Sequence, residues 1–162
     1  MMEIYLMQHG HSLPKDQDPD EGLSADGKAA VRLTARAFKV FHVEFDAILS
    51  SPKKRSKQTA ALVAEETGFP TEKIIETEKV KAMTPAEETV RALADLSGAK
   101  HVLVAGHLPS VAEVASYLLT EGSKATIEFE MGGCCCVEAD KLPTHAGRLR
   151  WFIKPSQLEM LM

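Results

Sequence analysis

The chain has 162 residues, a length that suits one domain, over residues 1–162, with a substantial hydrophobic core. Hydrophobic residues make up 44% and charged residues 26% of the sequence, and the formal net charge is −4. This charge disfavours general nucleic-acid binding, and no apolar run approaches the roughly 20 residues that a membrane-spanning helix needs. Because the sequence also lacks the pattern of a secretory signal, we expect a cytoplasmic protein.

Short apolar runs alternate with amphipathic stretches in the first part of the chain. Ser24 is a suitable N-cap for a helix, as is Ser51, which is followed by proline, while residues 84–87 have the pattern of a capping box. In chain order, the predicted elements are a strand over Glu3–Met7, a helix from Ser24 to about Phe41, a strand over Phe45–Leu49, a helix from Ser51 to about Thr67, and a helix from Thr84 to near Gly98.

The second part of the chain continues the alternation and then changes to strands alone. In chain order, the predictions are a strand over His101–Ala105, a helix from about Val111 that ends at Gly122, and strands over Thr126–Glu130, Cys134–Glu138 and Arg148–Ile153. Strands that alternate with helices predict an α/β fold, with a mainly parallel central sheet between two layers of helices. The closing strands are expected to add an antiparallel edge.

The three cysteines are consecutive: Cys134, Cys135 and Cys136. Adjacent cysteines lack the spacing of a disulfide framework or of a zinc site. We interpret them as small apolar residues on a buried strand, with no other role indicated by the sequence.

Histidine and arginine residues follow the ends of three predicted strands. His9 follows the first strand, Arg55 follows the second within one helical turn, and His107 follows the strand over 101–105. In open α/β sheets, ligands bind beyond the carboxyl ends of the strands, and helix N-termini there favour anions. An arginine and two imidazoles at this edge suit a phosphate group, because they offer a cationic donor, a nucleophilic nitrogen and a second donor.

Three motifs make the chain resemble the histidine phosphatase superfamily, and within it the small phosphohistidine phosphatases of the SixA type. The resemblance covers essentially the whole chain and implies the phosphoglycerate mutase-like fold, a single three-layer α/β domain. The motifs, in order, are Gln8-His9-Gly10, then Ser51-Pro52 with Arg55 and Gln58-Thr59, then Gly106-His107-Leu108-Pro109.

The resemblance implies a role for each matching residue. His9 is the expected nucleophile that accepts the phosphoryl group, with its other ring nitrogen held by a hydrogen bond. Arg55 is expected to bind the phosphoryl oxygens, and His107 to donate to them as an imidazolium. Water then hydrolyses the phosphorylated His9, and neither a metal nor another cofactor is implied. The remaining histidines are interpreted as structural or surface residues: His11, His42, His101 and His145.

Gln8 departs from the family pattern, which has arginine before the nucleophilic histidine. Gln8 is still expected to bind phosphate, but only through neutral N–H donors. Losing a charge-assisted hydrogen bond costs about 1.5–3 kcal/mol, which corresponds to a loss of roughly 10- to 100-fold in transition-state affinity.

The substrate stays open between alternatives. The segment over 76–88 shows no match to the acidic residue with which other branches of the family protonate an alcohol leaving group, and phosphohistidine needs such an acid less. We therefore expect a phosphatase that removes phosphate from phosphohistidine in a partner protein. The alternatives are a phosphomonoesterase for a small phosphorylated substrate and, because of Gln8, a weakly active or inactive phosphate-binding module. The oligomeric state is left open.

Overall fold

A six-stranded mixed sheet forms the centre of a single α/β domain, in the order β3-β2-β4-β1-β5-β6. The computed structural model describes residues 1–121 and 125–162. The first four strands in that order are parallel, and β5 and β6 add an antiparallel edge. The strands are β1 (Met2–Gln8), β2 (Ala47–Ser50), β3 (Ile75–Glu76), β4 (His101–Gly106), β5 (Cys134–Ala139) and β6 (Arg148–Ile153).

Helices cover both faces of the sheet, because the central strands are apolar on both sides. Along β1, Tyr5 and Met7 join one buried cluster, whereas Ile4 and Leu6 join the other. Residues of α1 and α2 pack in the first cluster, and residues of α3 and α4 pack in the second. The helices are α1 (Ala25–Val40), α2 (Lys54–Thr67), α3 (Ala86–Ala94), α4 (Ser110–Leu119) and the short α5 (Pro155–Glu159).

The predicted fold class is confirmed, whereas two of the three predicted helix caps are wrong. Ser24 does cap α1, since its hydroxyl accepts a hydrogen bond from the backbone N–H of Gly27. Ser51 lies before α2, whose N-cap is Lys53, and its hydroxyl contacts a histidine instead. Thr84 donates its hydroxyl to the carbonyl of Glu78, so α3 begins without a capping box.

The predicted strand over Thr126–Glu130 is also wrong. This segment has no regular structure, yet Phe129 is buried and Ile127 packs against the same cluster. The alternating apolar residues of this segment therefore pack in the core without pairing to a strand. Both edges of β1 are already occupied, by β4 on one side and by β5 on the other. The predicted helix end at Gly122 lies outside the described residues, and α4 ends at Leu119.

The consecutive cysteines lie in β5, with free thiols that are completely buried. Burial raises the pKa of both Cys135 and Cys136 to about 12, so these thiols stay protonated at neutral pH. Their position in the core agrees with the packing interpretation.

The register of the parallel strands brings three segments to one edge of the sheet. Gln8 is paired with Gly106, and Ser50 is paired with Ala105. The residues that follow these pairs therefore leave the sheet side by side. Within the described residues, no helix is long and apolar enough to cross a membrane.

The first turn of α1 packs directly against the turn that follows β1. A Cβ atom built on Gly27 would overlap the carbonyl of His11, and one built on Gly10 would lie 2.8 Å from the carbonyl oxygen of Gly27. Only glycine at both positions allows this close approach of two backbones.

We predict that Gly27→Ala destabilises the protein. Gly-to-Ala changes inside helices ordinarily stabilise by about 0.5–1 kcal/mol, but overpacking against the His11 carbonyl costs about 1–3 kcal/mol. Urea unfolding measures the difference in free energy of unfolding. Ala29→Gly, at an exposed position of the same helical turn, is the control, because it measures the difference in helix propensity between Ala and Gly without the contact to His11. A Gly27→Ala variant more stable than the parent would contradict the prediction.

Candidate active site

His9 is held by backbone hydrogen bonds immediately after β1. Its N–H donates to the carbonyl of Gly106 at 2.9 Å, and its carbonyl accepts from the N–H of Gly132 at 3.1 Å. The ring nitrogen Nδ1 lies 2.7 Å from the carbonyl oxygen of Gly10. Because a carbonyl only accepts, Nδ1 carries a proton, and in the neutral ring Nε2 carries the free lone pair.

The pKa of His9 lies below its ordinary value. Burial is the main cause, and the charge on Arg55 acts in the same direction. The hydrogen bond to Gly10 and the charge on Glu21 raise the pKa but do not reverse the shift. The ring of His9 is therefore neutral at pH 7, with Nε2 available as a nucleophile.

Arg55 lies in the first turn of α2 and points at this nitrogen. Its Nε donates to Nε2 of His9 at 3.3 Å, a contact that agrees with a lone pair there. Thr59, one helical turn later, donates to the carbonyl of Arg55 at 2.8 Å and accepts from the N–H of Gly10 at 3.1 Å. The Thr59 hydroxyl thus ties α2 to the turn that carries His9.

His107 follows β4, and its ring centroid lies 5.0 Å from that of His9. The side chain is buried, and its Nε2 lies 2.6 Å from the hydroxyl of Ser51 and 3.1 Å from that of Ser56. Burial lowers the pKa of His107 to about 4, and repulsion from a protonated His9 and from the charges of Arg55 and Lys53 lowers it further. In the free protein this ring is therefore neutral at pH 7, and the imidazolium expected with a phosphoryl group bound stays a prediction.

Gln8 is the last residue of β1 and is only 6% exposed. Among residues 1–121 and 125–162, its Oε1 is the one fully buried side-chain nitrogen or oxygen atom without a hydrogen-bond partner. A buried amide oxygen without a partner is costly in a folded core, so this position is unlike the rest of the domain.

Two cationic side chains at the start of α2 have no carboxylate partner among the described residues. Lys54 is neutralised by Asp18 at 2.8 Å, whereas Lys53 and Arg55 have no carboxylate within 4 Å among the described residues. Lysines at the N-terminus of α2 are unfavourable to the helix dipole, so the placement favours an anionic ligand. The same part of the chain contains no group of three or more side chains suited to hold a metal ion.

The structure brings together His9, Arg55 and His107 as the sequence predicts, with Gln8 next to them along β1. The sequence reasoning missed the two serines on His107 and the charge of Glu21 near His9. Ser51 follows a predicted strand and was interpreted as an N-cap, so its hydrogen bond with His107 was not considered. Ser56 and Glu21 carried no signal, since their proximity depends on the loop between β1 and α1 and on the rotation of α2.

The arrangement can attack an anionic centre. A neutral imidazole nitrogen lies beside a guanidinium group, with a second imidazole next to the first and a helix N-terminus facing the same edge. The guanidinium and an N–H of the second imidazole can stabilise negative charge on oxygens bound beside the first.

Part of the sequence matches the profile of a known family. Residues 4–83 match the sequence profile of the histidine phosphatase superfamily, branch 1. An uncharacterised protein of Picosynechococcus is 32% identical over 66 residues, which are 39% of this chain and 40% of that protein. The match therefore spans about two-fifths of the length of this curated relative.

Solved structures share the fold over nearly the whole chain. The protein histidine phosphatase SixA in complex with tungstate has a TM-score of 0.87 and 25% identity, and the match covers 97% of this chain and 99% of that one. A candidate phosphohistidine phosphatase SixA from Agrobacterium tumefaciens has a TM-score of 0.77 and 21% identity, with 95% and 98% covered.

A third solved structure carries a different substrate on the same fold. A variant phosphoserine phosphatase from Entamoeba histolytica, in complex with phosphoserine, has a TM-score of 0.70 and 16% identity. The match covers 98% of this chain and 100% of that one. The shared architecture is thus compatible with more than one class of phosphorylated substrate.

The profile match includes the ends of β1 and β2, where His9 and Arg55 lie, and the structural matches extend through His107 to the C-terminal strands. Residues 4–83 thus carry the sequence profile of the histidine phosphatase superfamily, and the chain has the fold of the protein histidine phosphatase SixA.

Proposed function

We propose that the protein is a phosphatase that acts through a phosphohistidine intermediate on His9 and removes phosphate from phosphohistidine in a partner protein. The observation that carries the proposal is the free Nε2 of His9, whose lone pair faces the Nε of Arg55 at 3.3 Å. The likeness to SixA, described as a protein histidine phosphatase, supports the choice of substrate.

In the proposed reaction, Nε2 of His9 attacks the phosphorus atom. The new N–P bond forms as the bond from phosphorus to the substrate ring breaks. The electron pair of that bond leaves with the ring, which carries a proton on its other nitrogen and so departs as neutral imidazole. Arg55 and His107 donate to the phosphoryl oxygens in the transition state. Water then attacks the phosphorus, inorganic phosphate leaves, and the lone pair returns to Nε2.

Glu76 and Glu88, in the segment over 76–88 where the sequence shows no match to the acid of other branches, contact lysines. Glu76 pairs with Lys57 at 3.5 Å, and Glu88 pairs with Lys79 at 3.3 Å. Among the described residues, neither carboxylate has a hydrogen bond or an ion pair with His9, Arg55 or His107, so neither is placed as the acid for an alcohol leaving group. An imidazole leaving group departs readily and does not require this acid.

Two other functions are kept as alternatives. The phosphoserine phosphatase from Entamoeba histolytica shares the fold, so a small phosphomonoester is a second candidate substrate. Gln8, with a neutral side chain where the family motif has arginine, favours a third candidate, a phosphate-binding module with little turnover.

Trapping of phosphorylated His9 tests the proposal. After brief mixing with a phosphohistidine peptide, we expect mass spectrometry under mildly alkaline conditions to find phosphate on His9. His9→Ala should abolish both the adduct and turnover. His11→Ala, at an exposed position two residues later in the chain, should retain the adduct. Binding of phosphate without any adduct would contradict the proposal and favour the phosphate-binding module. Turnover of phosphomonoesters alone would contradict it and favour the small-molecule phosphomonoesterase.

Gln8→Arg is predicted to increase the rate of phosphoryl transfer. A guanidinium at this position replaces a neutral donor with a charge-assisted one, which is roughly twice as strong, so about half of its 1.5–3 kcal/mol is gained and kcat/KM should rise by roughly 3- to 10-fold. Gln8→Met, which keeps the length without a donor, should lower the rate. Equal kcat/KM values for the parent and for both variants would show that Gln8 does not contact the phosphoryl group.

The pH dependence of adduct formation follows from the lowered pKa of His9. Protonation of Nε2 removes the nucleophile, so the rate should stay constant as the pH falls to 6.5, the ordinary value, and decrease only below it. The ring titration of His9, measured by NMR in the folded protein and in urea, provides the control. A rate that decreases with a midpoint at or above pH 6.5 would contradict the assigned state of His9.

A further inference from the structure

Two buried hydroxyls converge on one nitrogen of His107. Ser51 Oγ lies 2.6 Å and Ser56 Oγ lies 3.1 Å from Nε2, and both serines are 0% exposed. The ring itself is 3% exposed. No solvent competes for contacts at this depth, so the direction of these hydrogen bonds decides where the imidazole proton lies.

The backbone fixes the direction of the Ser51 hydroxyl. Its Oγ also accepts a hydrogen bond from the N–H of Lys53 at 3.3 Å. A hydroxyl has one proton, and with an N–H already directed at its oxygen, that proton is free to point at His107. If Nε2 were the donor instead, the buried Ser51 proton would have no partner among the described residues, which is costly.

The surrounding charges favour the same arrangement. Arg55 and Lys53 both act against a positive ring at His107. A neutral imidazole has one protonated nitrogen, so a ring whose Nε2 accepts from serine carries its proton on Nδ1.

We propose that Ser51 and Ser56 are positioning residues that hold His107 in the tautomer protonated on Nδ1, so that a neutral His107 donates this N–H to the phosphoryl group. The inference rests on the proposed function for its ligand. In this proposal His107 is an uncharged hydrogen-bond donor. Arg55, which contacts Nε2 of His9, is the charged donor. The serines do not touch the reacting atoms and act only through the ring.

The tautomer has a consequence for phosphoryl transfer. When Ser51 is replaced by Ala, Nε2 loses its shorter partner. The ring can then carry its proton on Nε2 instead of Nδ1 and donate it to the hydroxyl oxygen of Ser56. Nδ1 then carries a lone pair, which repels a phosphoryl oxygen instead of binding it. The loss therefore appears in the chemical step and in the position of the ring proton together.

The experiment combines ¹⁵N NMR of the histidine rings with single-turnover kinetics. In the parent at pH 7, we expect His107 to show a protonated Nδ1 and an unprotonated Nε2. Ser51→Ala should shift part of the population to the other tautomer and slow formation of phosphorylated His9 by roughly 10- to 100-fold. Ser56→Ala, at the longer contact, should have the same effect at smaller size, and Ser51→Thr, which keeps the hydroxyl, should restore the tautomer.

Ser50→Ala is the matched control. Ser50 is also 0% exposed at the end of β2, but its hydroxyl donates to the carbonyl of Ser51 at 2.9 Å and not to the ring. The control should leave the tautomer of His107 unchanged. A parent ring that is charged at pH 7 or protonated on Nε2 would overturn the inference, and so would a tautomer unaffected by both Ser51→Ala and Ser56→Ala.

The NMR measurement needs neither substrate nor turnover. If His107 shows the expected tautomer while His9 never becomes phosphorylated, the proposed function fails and the positioning by serine stands. If His9 is phosphorylated while Nε2 of His107 carries the proton, the positioning inference fails alone. Should Ser51→Ala not fold, the tautomer of the parent and of Ser56→Ala decides the question.

Discussion

The hydrogen bond between Nδ1 of His9 and the carbonyl of Gly10 is the constraint on which the candidate site depends. It fixes which nitrogen of His9 is free, and a bond of 2.7 Å leaves little freedom for the ring to turn. The carbonyl is in place because the Gly10 N–H is bound by Thr59 and because α1 presses on the same turn through Gly27. Both major helices of one face of the sheet thus contribute to the orientation of one imidazole.

Neutral groups dominate the interior of the site, and this has an electrostatic reason. Two imidazoles whose ring centroids lie 5.0 Å apart, next to a guanidinium, cannot all be charged without strong repulsion. The protein resolves this by burial, which lowers the pKa of both His9 and His107. Arg55 keeps its charge, and the free site is ready for an anion with the least internal repulsion.

The sequence predicted the parts of the molecule that local patterns encode. His9, Arg55 and His107 could be placed because strand ends and parallel pairing bring them to one edge, whatever the details of packing. The Ser51 cap and the strand over Thr126–Glu130 were predicted incorrectly because each pattern has two uses: a serine before a helix can bond a distant side chain, and an alternating apolar segment can pack without a strand partner. The state of His107 was also out of reach, since it depends on burial by residues from three different strand ends.

Gln8 bears on the choice between the candidate substrates. Phosphoryl transfer through a loose transition state places charge mainly on the three equatorial oxygens, which cationic donors stabilise. A site with one guanidinium, a neutral amide and a neutral second imidazole offers less of this stabilisation than a site with two arginines. A phosphomonoester, with a stronger bond to break and an alkoxide to protonate, depends on it most. The P–N bond of phosphohistidine is more labile, and its imidazole leaves without an acid. Phosphohistidine therefore reacts with less stabilisation of the charge on the phosphoryl oxygens. The neutral residue at position 8 therefore favours phosphohistidine over a phosphomonoester as the substrate.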